Sequence, residues 1–189
     1  MCPKLDPPWS GFLEELDNLL DEPFEFHCIG GFAGVVQYCL PRGTNDLDYF
    51  TLVPANRIAE LEELAGEGSN LGQKHKVHVH HAAVATLPEN YEDRMKEIFP
   101  GQFKKIRLFV LDPYDLILSK LSRNIERDRD DVRHLSRTLH LDGDVLKERY
   151  FSELRHALIG SVEWHDQTLA FWLEAYFDKS ERTKHSKGS

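Results

Sequence analysis

The sequence predicts an α+β fold, with a small mixed sheet and flanking helices followed by a helical C-terminal portion. Short apolar segments bounded by glycine and proline turns fill the first half of the 189 residues, whereas the second half repeats apolar residues at helical spacing. Strands followed by helices are typical of α+β proteins. We predict a core over 1–111, a helical portion packed on it over 112–178, and a disordered tail over 179–189.

The first half is predicted to alternate helices and strands. Ser10 is a suitable N-cap for an amphipathic helix that ends near Asp21. Strands are predicted over 24–29, 47–53 and 104–111, and a strand with its exit over 77–87. Helices are predicted over 32–39, 55–66 and 91–98, with a turn over 41–45 and a loop over 66–72.

The second half begins with a helix start signal, because Asp112 can cap a helix and Pro113 suits its first turn. Helical patterns continue through Leu139, and again over 144–158 and 162–177. If one helix runs to Leu139, a rotation of about 100° per residue gathers several polar residues beside an apolar stripe. That polar face contains Lys120, Arg123, Arg127, Asp131 and His134. The alternative is a solvated face with an Arg127–Asp131 pair.

Composition limits the classes of function. No apolar run is long enough to cross a bilayer and the N-terminus lacks a signal-peptide pattern, so we expect a cytoplasmic protein without membrane association. A formal net charge of -9 argues against binding nucleic acid over a broad basic surface. The three cysteines match no zinc pattern, and we expect Cys28 and Cys39 to be reduced thiols in the core.

Two short segments carry residues suited to phosphate and metal chemistry. A predicted strand ends in Gly30 and Gly31, and such a turn into a helix lets backbone amides approach a phosphate closely. Asp46 and Asp48 are two residues apart on the next strand, so their carboxylates should point to the same side. Mg²⁺ binds such oxygens together with water and phosphate oxygens. A nucleoside triphosphate (NTP) with two metal ions would fit this pattern.

The order Gly-Gly, then Arg42 and Thr44, then Asp-x-Asp resembles the signature of nucleotidyltransferase-fold proteins of the DNA polymerase beta superfamily. The resemblance implies that residues 1–111 are a nucleotidyltransferase core that transfers a nucleoside monophosphate from an NTP to an acceptor hydroxyl. It implies Mg²⁺ at Asp46 and Asp48, which would be catalytic. The triphosphate would be bound by Gly30, Gly31, Arg42 and Thr44.

A second segment, Lys120 followed by Arg127-Asp128-x-x-Asp131, resembles a motif of abortive-infection-type (AbiEii-like) nucleotidyltransferase toxins. That resemblance implies catalytic roles for Lys120 and Asp131 and a nucleotide-binding role for Arg127. It also implies a toxin–antitoxin system, with transfer RNA as the acceptor and an antitoxin protein as a partner.

One departure from the superfamily pattern leaves alternatives open. Active members usually add a third carboxylate on a later strand, and the corresponding segment here, 76–82, contains no acid. His78 and His80 alternate onto one face of it, where histidine could act as a base or be an ordinary edge-strand residue. The chain could instead be a catalytically decayed binding protein with this fold. A third reading is an antibiotic-type nucleotidyltransferase that modifies a small-molecule alcohol.

Overall fold

The computed structural model describes residues 3–177. The described chain forms two compact units, one of residues 3–85 and 90–116 and one of residues 86–89 and 117–177. The first unit contains a small mixed sheet with flanking helices, and the second consists of helices and their connections. The predicted α+β class is therefore confirmed. The boundary after Leu111 stays a prediction, and the predicted tail over 179–189 lies outside the described residues.

The sheet of the first unit has the strand order β3-β2-β1-β5-β4. Its strands are β1 (Phe24–Cys28), β2 (Asp46–Val53), β3 (His78–His81), β4 (Lys96–Ile98) and β5 (Ile106–Val110). The pairs β1–β2 and β4–β5 are antiparallel, whereas β1–β5 and β2–β3 are parallel. The strand β3 is consequently an edge strand, and its neighbour β2 carries the two predicted metal-binding aspartates.

The two faces of the sheet differ in character. Strand side chains alternate between faces, and one face is apolar and fully buried at Phe26, Leu47 and Tyr49. The other face carries the half-buried Asp46 and Asp48. The polar face is therefore the candidate location for a functional site.

The helices of the first unit are α1 (Trp9–Leu19), α2 (Gly30–Tyr38), α3 (Ile58–Ala65), α4 (Asn70–His75) and α5 (Tyr91–Arg94), followed by α6 (Pro113–Leu118) at the boundary between the units. In α1, Phe12, Leu13 and Leu16 are buried, as their helical spacing predicts. The buried Asp17 accepts hydrogen bonds of 2.7–3.0 Å from the backbone amides of residues 104–106. These bonds tie α1 to the start of β5.

Two predicted segments of the first unit are wrong. The predicted loop over 66–72 contains the start of α4, which Ser69 caps by accepting a 2.9 Å hydrogen bond from the amide of Gly72. The predicted helix over 91–98 ends at Arg94, because residues 96–98 pair with β5 and form β4. The predicted strand and its exit over 77–87 agree with β3 and the irregular residues that follow it.

The second unit contains α7 (Glu126–Thr138), α8 (Gly143–Arg149) and α9 (Val162–Phe177). The single helix from 112 to 139 that the predicted polar face assumes does not form, because α6 ends at Leu118 and α7 begins at Glu126. Asn124 breaks the helix with a φ of 44°, and Ile125 is extended. The predicted polar face on one continuous helix therefore does not exist.

The state of the cysteines and the character of the helices bear on the composition-based expectations. Cys28 is a buried free thiol, as predicted, and burial raises its pKa well above the ordinary value. Cys39 is instead exposed and disulfide-bonded, so the prediction of a reduced core thiol is wrong there. Across residues 3–177, no helix combines the length and apolar character needed to span a membrane.

Candidate functional site

The two aspartates lie on the same face of β2. Leu47, which lies between the two aspartates, and Tyr49, which follows Asp48, point into the core and are fully buried. Asp46 and Asp48 are half-buried on the opposite face. The local alternation of the strand thus presents both carboxylates to one side, as their two-residue spacing predicted.

A glycine turn lies directly against Asp48. Gly30 begins α2 in a left-handed conformation with a φ of 63°, and a methyl group at this position would overlap the Asp48 carboxylate. The amide of Ile29 also donates a 2.8 Å hydrogen bond to the Asp48 carbonyl. The conformation and the close approach both require glycine at position 30.

Two predicted triphosphate-binding side chains lie next to this turn. A methyl group at Gly31 would come 2.7 Å from Thr44 Oγ1 and 3.2 Å from the Arg42 guanidinium. Thr44 Oγ1 donates a 2.7 Å hydrogen bond to Asp46 Oδ1. The structure therefore brings together six predicted site residues: Gly30, Gly31, Arg42, Thr44, Asp46 and Asp48.

A histidine on the edge strand joins the aspartate face. In the parallel register of β2 and β3, Asp46 pairs with His78 and Asp48 with His80. His80 Nδ1 lies 3.1 Å from Asp48 Oδ1, and 58% of the His80 side chain is exposed. Of the two readings that the sequence left open, this contact favours a place for His80 in the site. The sequence pattern that indicated this position is the alternation of His78 and His80 onto one face of the strand.

The donor set fits a hard cation that keeps part of its coordination sphere for substrate. The side chains that the structure describes contain no group of three or more His, Cys, Asp or Glu residues able to enclose a metal ion. Two carboxylates on one face leave positions for water and phosphate oxygens, which is the usual arrangement for Mg²⁺. Asp46 and Asp48 therefore suit a metal ion that arrives with a phosphate ligand.

Lys120 and Asp131 form a buried charge cluster in the second unit. Lys120 Nζ lies 2.9 Å from Asp131 Oδ2 and 3.7 Å from Asp128 Oδ1. Asp128 also accepts hydrogen bonds of 2.8 and 2.6 Å from Nε and Nη2 of Arg123. The side chains of Lys120, Asp128 and Asp131 are 3%, 0% and 2% exposed, so the alternative of a solvated face is wrong for them.

The structure changes the membership of this cluster. Arg127, the predicted nucleotide-binding residue, is exposed on α7. Arg123 rather than Arg127 contacts Asp128, a residue for which no role was predicted. Asp128 caps α7 by accepting a 3.3 Å hydrogen bond from the amide of Ile125, and an acid at the third helical position is a signal that could have identified it. A shared site for this cluster and Asp46 stays a prediction.

A separate surface cavity of about 580 Å³ lies elsewhere in the first unit. It is lined by α1, α3 and α4, including Leu19, Leu64 and Lys74. None of the predicted site residues lines it. The candidate site is therefore separate from this cavity.

Comparison with protein families identifies the family of the chain. Residues 11–184 match the family model described as "Nucleotidyltransferase of unknown function (DUF6036)". The chain belongs to this nucleotidyltransferase family. Comparison with curated proteins and with solved structures gave no match. Nucleotidyltransferase family membership therefore rests on this match.

Proposed function

We propose that the protein is a Mg²⁺-dependent nucleotidyltransferase that moves a nucleoside monophosphate from an NTP to an acceptor hydroxyl. The observation that carries the proposal is the packing of the Gly30 turn against Asp48. This packing sets backbone amides at the start of a nine-residue helix beside two carboxylates. Amides at a helix N-terminus bind phosphate, and paired carboxylates bind Mg²⁺, so one triphosphate can satisfy both.

The residues around the turn have separable tasks in this proposal. The backbone at Gly30 and Gly31 and the side chain of Arg42 bind the triphosphate. Asp46 and Asp48 hold Mg²⁺, and the Thr44 hydroxyl orients Asp46 through its 2.7 Å hydrogen bond. When bound, the metal offsets phosphate charge and polarises the reacting phosphoryl group. Positioning and charge stabilisation then supply most of the rate enhancement.

The Lys120 cluster supplies the second part of the proposal. We assign Lys120 the role of balancing the negative charge of the phosphates, and Asp131 that of assisting the metal ion or the catalytic base. Arg127 adds positive charge that attracts the nucleotide. The burial of the Lys120–Asp131 pair supports a defined geometry for the ammonium group, because neither side chain is solvated. A lysine held in place can stabilise developing charge without a reorganisation cost.

The resemblance to AbiEii-like toxins extends the proposal to a biological role. On this view the protein is the toxin of a toxin–antitoxin pair, transfer RNA is the acceptor, and an antitoxin protein is the partner. The support for this role is the sequence motif of Lys120, Arg127 and Asp131, in which Lys120 and Asp131 form an ion pair.

Two other functions have an observation in their favour. The absence of an acid from the β3 strand favours a catalytically decayed protein that only binds a nucleotide. The net charge of -9 favours a small-molecule alcohol over RNA as the acceptor. The contact between His80 and Asp48 favours a site that still functions, because the edge strand reaches the proposed metal-binding carboxylate.

Incubation with each α-labelled NTP, Mg²⁺ and either total cellular RNA or a panel of small alcohols tests the reaction. We expect label to become covalently attached to one acceptor class with one preferred nucleotide. The Asp46→Asn, Asp48→Asn double variant should transfer none. Nucleotide binding without any transfer would support the decayed binding protein, and transfer that survives the double substitution would refute the assigned site.

A further inference from the structure

A cluster of aromatic side chains lies on the aspartate face of the sheet. The ring cluster consists of His27, Phe50, Tyr91 and Phe109. The Tyr91 ring contacts the rings of His27 and Phe50 edge to face, with centroids 6.2 and 6.0 Å apart. His27 in turn contacts Phe109 at 5.9 Å. All four side chains are half-buried, so the rings are neither core residues nor fully solvated.

The strand register puts this cluster on the same face as the proposed metal site. His27 pairs with Thr51, and both lie opposite the buried face of Phe26 and Leu52. The register shift after His27 leaves Phe50 as an extra residue of β2, and its ring packs on Tyr91. Tyr91 Oη also lies 3.2 Å from Thr51 Oγ1. Aromatic rings therefore continue the aspartate face along β2.

The geometry of phosphoryl transfer suggests which substrate could bind at the ring cluster. In phosphoryl transfer the attacking and leaving oxygens are roughly in line. In the proposed function, pyrophosphate leaves on the side of the Gly30 turn, which lies where β1 ends and β2 begins. Phe50 and Thr51 lie further along β2, and Thr51 is about 10 Å beyond Asp48 at the usual rise per strand residue. In the proposed function, an acceptor opposite the leaving pyrophosphate would therefore approach from the side of the ring cluster.

We propose that the ring cluster is the acceptor subsite and that it binds a nucleobase of a single-stranded polynucleotide beside the reacting hydroxyl. A nucleobase offers a planar face that aromatic side chains bind by stacking, without a need for a broad basic surface. The net charge of -9 disfavours binding through phosphates, so a polynucleotide would have to be bound through its bases. The inference rests on the proposed function and narrows the acceptor to one that carries a nucleobase.

Binding of a 5′-labelled single-stranded pentaadenylate, followed by fluorescence anisotropy, tests the subsite. Tyr91→Leu keeps apolar packing but removes the aromatic face, so we expect roughly tenfold weaker binding. Tyr91→Phe keeps the ring and should bind as the wild type does. Phe171→Leu is the matched control, because Phe171 is an exposed aromatic residue of the second unit and lies outside the ring cluster. If Tyr91→Leu fails to fold, Phe50→Leu provides the same test.

Calorimetry of Mg²⁺–NTP binding separates failure of this inference from failure of the proposed function. We expect Tyr91→Leu to bind Mg²⁺–NTP as the wild type does. The inference is overturned if the wild type does not bind the oligonucleotide, if Tyr91→Leu binds it equally well, or if that variant loses NTP affinity instead. A wild type that binds Mg²⁺–NTP but not the oligonucleotide would overturn only the acceptor subsite, whereas absence of NTP binding would overturn the proposed function as well.

Discussion

At position 30 two independent constraints require glycine. The φ of 63° is one that residues with a side chain adopt at a cost, and a Cβ atom would also overlap the Asp48 carboxylate. Gly43 lies in the same connection between α2 and β2, but a methyl group at that position would have no atom within 4 Å. The chain thus offers a glycine that shapes the proposed site and one that does not.

Gly30→Ala should therefore damage both stability and the site. We expect the free energy of unfolding to fall by about 1–3 kcal/mol and Mg²⁺–NTP affinity to fall at least roughly tenfold, because Asp48 must move. Urea unfolding and calorimetry measure the two effects. Gly43→Ala should alter neither quantity, and equal behaviour of the two variants would show that the close approach at Gly30 is unimportant.

At the scale of elements, the start of α7 is held by the buried carboxylate of Asp128. Asp128 caps the helix at the Ile125 amide and contacts Lys120 and Arg123. Asp130, two residues on, forms only an exposed pair with Arg133 among the described ion pairs. Because exposed pairs contribute little and buried charges left without partners are costly, the two acids should differ strongly in importance.

Asp128→Ala should lower the free energy of unfolding by roughly 3 kcal/mol, since it removes a helix cap and leaves Lys120 with one fewer anionic partner. Asp130→Ala should change it by less than about 0.5 kcal/mol. Chemical denaturation followed by circular dichroism would compare them. Similar values for the two variants would mean that the buried cluster does not stabilise α7.

The second unit also contains a pH-dependent link between α9 and the segment before it. Hydrogen bonds from Arg155, and then from Tyr150, lower the pKa of Asp166 to about 2. Because the pKa of Asp166 is lower in the folded state, its carboxylate stabilises the fold at pH values above the unfolded-state pKa of about 3.9. This stabilisation is lost as the pH falls through the folded-state pKa of about 2.

The stability difference between the wild type and Asp166→Asn should therefore depend on pH. We expect it to be fully present above about pH 4 and to decline as the pH falls toward 2. Unfolding measured for both proteins across this range gives the difference directly. A difference that stays constant from pH 5 to pH 2 would contradict the role of the Asp166 carboxylate.

The elements that could be predicted from sequence are those fixed by local periodicity or local start signals. The alternation around Asp46 and Asp48 and the helix over 162–177 agree with the structure. β4 could not be predicted, because three residues form a strand only by pairing with β5. The break at Asn124 was also missed, since apolar spacing continues through it while the backbone adopts a φ of 44°.

At the scale of the whole molecule, the sequence predicted two groups of site residues and the structure assembles each group within its own unit. The contact between Lys120 and Asp131 does not arise from one helical face, as predicted. It arises because the turn after α6 returns Lys120 toward α7. Arg123, which was also predicted on the polar face, contacts Asp128, whereas Arg127 is exposed. Periodicity identified the residues but not the path of the chain that joins them.

Lys120→Met tests whether the buried cluster serves the nucleotide. It leaves two buried carboxylates without their lysine, so we expect a loss of stability as well as of function. At a temperature where circular dichroism shows the variant folded, Mg²⁺–NTP affinity should fall at least roughly tenfold. Lys147→Met, at an exposed position of α8, is the control. Unchanged affinity in a folded Lys120→Met protein would make the cluster purely structural.

Calorimetric titration with Mg²⁺–NTP most directly tests the claim that Asp46 and Asp48 form a metal–triphosphate site. We predict that the wild type binds NTP only when Mg²⁺ is present, and that Asp46→Asn with Asp48→Asn weakens binding at least roughly tenfold, because the metal then has only neutral side-chain oxygens. Asp130→Asn with Asp144→Asn removes the same charge from two exposed positions and should bind as the wild type does. Equal binding by the wild type and the Asp46, Asp48 double variant would contradict the site.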